Sequence, residues 1–174
     1  MLSRNRGLRV AIVVLVVLVM FGLTGGAAAD SHNGHERPFK AWFSGTVEIV
    51  VGADWCPALP WVGVVIVADK GHTTHLGPVS AEATQCTSTA TGEVINGEAT
   101  FFAANGDELY ATYSGGPGST APVEVIQVFN GGTGRFANAT GQATEWAYPN
   151  DPEAGLVWGV MEGTITYDAS DRSR

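Results

Sequence analysis

Beyond residue 38 the chain has no helical periodicity. Runs rich in Val, Ile, Thr, Phe and Tyr alternate between apolar and polar positions, and glycine-containing turns separate them. A period of two is the signature of strands, whose successive side chains point to opposite faces. The pattern predicts strands near Ala41–Val51, Val62–Ala68, Val79–Thr89, Glu98–Ala103, Glu108–Ser114, Val123–Phe129, Gln142–Tyr148 and Val157–Tyr167. About eight short strands with turn signals between them indicate an all-β sandwich or barrel. Asn96-Gly97 and Asn105-Gly106-Asp107 supply residues that tolerate positive φ, so each is expected to close a hairpin. The short connections point to an up-and-down antiparallel order.

The same alternation sorts the faces. In the last strand Val157, Gly159, Met161, Gly163 and Ile165 share one side, and Trp158, Val160, Glu162, Thr164 and Thr166 share the other. Neither side is cleanly polar. Mixed faces suit a closed sheet with a few polar groups inside and an outer wall partly covered, for example by a homo-oligomeric neighbour. Glycines inside strands let a small barrel bend tightly.

The N-terminus breaks this pattern. Arg4, Arg6 and Arg9 precede an uncharged run from Val10 to Leu23, followed by Ala27-Ala28-Ala29. Basic residues, a short apolar run and a small-residue cleavage site make a secretory signal peptide. The run is short for a membrane span, which needs about 20 apolar residues. Residues 1–29 are therefore read as a signal peptide, 30–38 as a polar lead-in and 39–174 as one barrel domain. The protein is expected to be secreted or periplasmic, with no stable membrane span once the signal is cleaved.

Charge and cysteine content fit an exported protein. The chain carries 9 Lys+Arg against 17 Asp+Glu, a net charge of −8, and losing the signal arginines makes it more acidic. An acidic surface argues against nucleic acid as a partner. Cys56 and Cys86 are the only cysteines. In an oxidising compartment an even count predicts one disulfide, with two buried thiols or a reactive thiol as the alternatives.

The most distinctive stretch is Asn130-Gly-Gly-Thr-Gly-Arg-Phe-Ala-Asn-Ala-Thr-Gly141, set between two strand-like runs. Gly132-Thr-Gly134-Arg-Phe-Ala137 matches a nucleotide-binding fingerprint in spelling. That motif needs a following helix to face a pyrophosphate, and here another strand follows. Taken locally, the glycines provide turn conformations, Phe136 anchors the turn in the core and Arg135 is a solvated or salt-bridged charge. As a signature, Gly131, Gly132, Thr133, Gly134, Phe136, Ala139 and Gly141 resemble the motif of the allene oxide cyclase and dirigent proteins. The chain is also similar to exported bacterial proteins of that barrel, in Thr74-His75-Leu76-Gly77 and in Ala103 to Leu109. The resemblance implies an eight-stranded antiparallel barrel with an apolar central cavity. It also implies a small hydrophobic ligand, or an isomerase or cyclase that confines a reactive hydrophobic substrate.

Candidate chemistry is sparse. A carboxylate inside an apolar barrel would have a raised pKa and could serve as a general acid. Glu48, Glu82, Glu124, Glu145 and Glu162 all lie in strands, and Glu162, next to Met161, is singled out, with Arg135 or Lys70 as partner. His75 and Arg135 are further catalytic candidates. Trp158, Phe101 and Tyr110 are candidates for ligand contact. His72 is assigned to a turn and His75 to a strand, and their spacing does not make a metal site without a turn between them. No metal or other cofactor is called for. Three functions remain: a ligand-binding barrel, an isomerase or cyclase on the same barrel, and a structural or interaction barrel whose core is filled.

Overall fold

The computed structural model of the protein describes residues 35–116, 121–151 and 153–168, and the signal-peptide expectation for residues 1–29 lies outside them. Eight strands follow one another: β1 (Arg37–Val50), β2 (Trp61–Thr73), β3 (Gly77–Ser88), β4 (Val94–Ala103), β5 (Glu108–Gly115), β6 (Val123–Gly132), β7 (Thr140–Asp151) and β8 (Leu156–Thr166). Each pairs antiparallel with its sequence neighbour, and β8 pairs back onto β1, for example Phe43 with Gly159, to close a barrel. The expected all-β, eight-stranded antiparallel fold is therefore present. Closure leaves no exposed sheet edge, which protects so many strands from edge-to-edge pairing.

Alternation sets the two faces of the wall. In β5, buried Leu109, Ala111 and Tyr113 interleave with exposed Thr112 and Ser114. In β6, buried Val125, Gln127 and Phe129 interleave with exposed Glu124, Ile126 and Val128.

One end of the barrel is plugged. The β2–β3, β4–β5 and β6–β7 turns meet there with the start of β1 and the end of β8. Phe39, Leu109, Phe129, Phe136 and Ile165 are all fully buried in this region. The glycine-rich segment builds the plug. A 3-10 turn, Gly134–Phe136, turns the Phe136 ring inward to 0% exposure, 4.8 Å from the Tyr167 ring. Burying such a ring is worth about 2–3 kcal/mol. Gly134 has φ +52°, and a Cβ there would run into the Asp107 carboxylate, so glycine is required.

At the other end, the segment after β1 folds back over the outside of the wall. Ala53 and Trp55 sit over Gly63, where any side chain would collide with them. Cys56 is bonded to Cys86 of β3, with Cα atoms 5.6 Å apart. The disulfide predicted from the cysteine count is thus formed.

Several local expectations change. Asn96-Gly97 does not close a hairpin. It lies inside β4, where Asn96 takes φ 52° at a register shift between Val94 and Gly97, so the positive-φ residue serves a bulge instead. The two histidines exchange places: His72 is on β2 and His75 is in the β2–β3 turn. β1 begins at Arg37, inside the expected lead-in, because Arg37 and Pro38 pair with Ile165 and Thr164 of β8.

Candidate functional site

Between the plug and the disulfide end, the lumen is lined unevenly. Ala68, Ala81, Ala83 and Ala99 of β2, β3 and β4 leave space that Phe43, Phe101, Tyr113 and Met161 fill only in part. The remaining cavity is about 30 Å³. That is room for a water or two. Its wall is apolar apart from three side chains: Tyr113, Gln127 and Glu145.

Glu145 reaches this space by simple strand geometry. In β7, Ala143, Glu145 and Ala147 face inward, while Gln142, Thr144 and Trp146 face out. Register sets Glu145 beside Val125 of β6 and Met161 of β8. Gln127 Nε2 donates to Glu145 Oε2 at 2.5 Å. The two residues are 2% and 7% exposed, respectively. Burial penalises the charged form and pushes the Glu145 carboxyl up to about 7, and the Gln127 bond offsets this in part. Burial also pushes the Tyr113 phenol upward, with the nearby Glu145 charge adding to the effect. Tyr113 Oη donates to the Thr84 carbonyl at 3.4 Å, across the bulge in β3. Among the described residues Gln127 Oε1 has no hydrogen-bond partner, although buried polar groups are as a rule satisfied.

A neutral carboxylic acid facing an apolar cavity can donate a hydrogen bond or a proton to something bound there. Among the described residues no cluster of three His, Cys, Asp or Glu side chains could hold a metal ion. Larger concavities lie on the outer wall, such as a groove of about 490 Å³ along Glu98, Thr112 and Ile126. They are open to solvent, and Tyr113, the buried ionisable side chain that this groove shares with the lumen, keeps its proton, so the small lumen cavity with Glu145 is the chemically distinctive site.

The carboxylate singled out from the sequence is elsewhere. Glu162 is on the outer wall, where it pairs at 3.2 Å with Lys40 rather than with Arg135 or Lys70. Its neighbour Met161 faces the lumen, and the period of two sends Glu162 the other way. Trp158 is also outside, 40% exposed and stacked on Tyr148 with ring centroids 4.4 Å apart. Tyr110 points outward and donates to Glu108 Oε2 at 2.6 Å. Of the three aromatic candidates, only Phe101 lines the cavity.

His75 and Arg135 come together at the plugged end and do not line the cavity. Arg135 Nη2 donates to the His75 carbonyl at 2.8 Å. Its Nε lies 3.4 Å from Asp107 Oδ2, an ion pair without hydrogen-bond geometry. The His75 ring bridges the Pro38 carbonyl at 2.8 Å and the Tyr167 hydroxyl at 3.1 Å. These contacts tie the β2–β3 turn, the glycine-rich segment and both barrel termini into one latch.

The sequence offers Glu145 among the strand carboxylates and Tyr113 among the aromatics able to fill or line a lumen without distinguishing either, and Gln127 is not among its candidates. The signal was available. Ala143-x-Glu145-x-Ala147 and Val125-x-Gln127-x-Phe129 each put one polar residue on an otherwise apolar face.

No sequence-family description and no curated protein matches the chain. Its fold is similar to that of the pterocarpan synthase dirigent protein GePTS1. The TM-score is 0.52 at 15% identity, over 80% of this chain and 90% of that one. Strand count, antiparallel order, closure and this likeness together define a dirigent-like barrel, the architecture that the glycine-rich motif implied.

Proposed function

We propose that this protein is an exported dirigent-like barrel that binds a small hydrophobic molecule in its lumen against Glu145 and Gln127. One observation carries the reading: a buried carboxyl and a buried amide with an unsatisfied oxygen face the same apolar cavity. A barrel selected only for stability gains nothing from such a pair, because a buried carboxyl weakens the fold once it ionises. Convergent polar groups and a perturbed titration in an apolar pocket are marks of a binding site, although ligand pockets are as a rule about tenfold larger than this resting space. The dirigent-like fold supports the same reading. A ligand larger than the resting space enters by moving Met161, whose flexible chain adapts readily, and Phe43, which is only half-buried. Export is supported by the N-terminal pattern of residues 1–29 and by the disulfide.

The 30 Å³ volume favours a second reading, a structural barrel with a filled core. Methyl NMR separates the two. Octanol, added to folded protein, is expected to shift the Ala68, Ala81, Ala83 and Ala99 methyls saturably. If these methyls do not respond to octanol or to a panel of small aromatic alcohols, the filled-core reading replaces the ligand reading. A catalytic role draws its support from Glu145, which is neutral below about pH 7 and so is able to protonate a bound substrate. Replacing Glu145 by Gln without loss of turnover on a candidate substrate would remove that role.

A further inference from the structure

The charge content of the cavity is a single carboxyl. Glu145 is faced by Val125 and Gln127 of β6, Met161 of β8 and Tyr113 of β5. Of these only Tyr113 titrates, and its phenol is pushed above its ordinary value, so it stays neutral while Glu145 ionises. Among the described residues no lysine, arginine or histidine lines the cavity. A negative charge formed there has one amide to solvate it and no cation to balance it. Such a charge is costly in apolar surroundings unless water reaches it. Water and a bound apolar molecule would then compete for the same space.

We propose that occupancy of the lumen is proton-linked: neutral Glu145 admits an uncharged molecule, and the ionised carboxylate draws in water and expels it. The inference rests on the lumen being the ligand site. It goes further by assigning a release mechanism and by excluding anionic ligands. A bound carboxylate would bring into the apolar lumen a negative charge that no cation in the described wall balances, and ionisation of Glu145 would add a second. A hydroxyl on an uncharged ligand has a ready acceptor in Gln127 Oε1, which has no partner of its own. Near-neutral titration of Glu145 sets the switch at about pH 7. Above it, each binding event takes one proton from the buffer onto a Glu145 oxygen, and release returns it.

Calorimetric titration of octanol and of octanoate into the wild-type protein and Glu145→Gln tests this. Octanol affinity for the wild type is expected to hold steady at acidic pH and to fall about tenfold per pH unit above about 7. Repeating the titration above that pH, in buffers of different ionisation enthalpy, should report one proton taken up per octanol. Glu145→Gln should bind octanol with flat pH dependence, and octanoate should bind the wild type at least tenfold more weakly than octanol at neutral pH. Flat octanol affinity in the wild type or absence of proton uptake would overturn proton linkage, octanoate binding as tight as octanol would overturn the exclusion of anions, and each would leave the lumen site standing. Octanol binding to neither protein at any pH would remove the lumen site itself. The proton count needs only the wild type, so the test survives poor folding of the variant.

Discussion

The plugged end and the middle of the barrel are built from the same strands with opposite side-chain choices. At the plug, Phe39 and Phe129 approach to 4.7 Å between ring centroids, Phe136 packs on Tyr167, and Leu109 and Ile165 fill the gaps. In the middle, alanines replace large residues on β2, β3 and β4, and a carboxyl and an amide occupy positions that Val or Leu would fill. An eight-stranded barrel is just wide enough to be packed solid or to hold one small ligand. Here one end is packed solid, and the middle keeps a small space with polar groups aimed into it. The plug secures closure, and the middle gives up stability at neutral pH to hold a buried carboxyl.

The widest gap between the two regions should appear on truncation. Phe136→Ala is expected to cost about 3–5 kcal/mol by chemical denaturation, because a fully buried ring leaves a hole in rigid surroundings. Removing the disulfide with Cys56→Ser and Cys86→Ser should cost roughly 3–4 kcal/mol at the opposite end, given the 30-residue separation. In the middle the sign reverses. Folded Glu145 keeps its proton to about 7, whereas the ordinary value is 4.5. The folded state therefore binds more protons between those values, and stability falls as pH rises from 4.5 to 7. Glu145→Gln should remove this slope and raise stability at pH 8 by about 3 kcal/mol. A variant with unchanged pH dependence would show that the carboxyl is not buried as described. Gly134→Ala should cost about 1–3 kcal/mol in thermal melts, from its positive φ and the collision with Asp107. Glu162→Gln, on the outer wall, should change stability by less than about 0.5 kcal/mol, since its pair with Lys40 is exposed.

Much of the barrel was legible in the sequence because alternation is a local signal. All eight strands lie where the runs of Val, Ile, Thr and aromatic residues predicted them, and Phe136 anchors its turn. What failed depended on information beyond one strand. Asn96-Gly97 has the spelling of a hairpin, and only the pairing of β4 with β5 shows that the chain continues straight through it as a bulge. Glu162 attracted attention for its apolar neighbours, although Met161 and Glu162 must face opposite ways and only one can enter the lumen. Trp158 and Tyr110 are aromatic, which says nothing of the side they take. The Glu145–Gln127 contact joins residues 18 apart through the β6–β7 register, so the pair is invisible until register is known.

The most direct test is a carbon-13 NMR titration of the Glu145 side-chain carboxyl, with and without octanol. The carboxyl should titrate at about 7 in the free protein and move higher when octanol is bound. Titration near the ordinary value of 4.5, unmoved by octanol, would contradict a buried acid in a ligand-binding lumen.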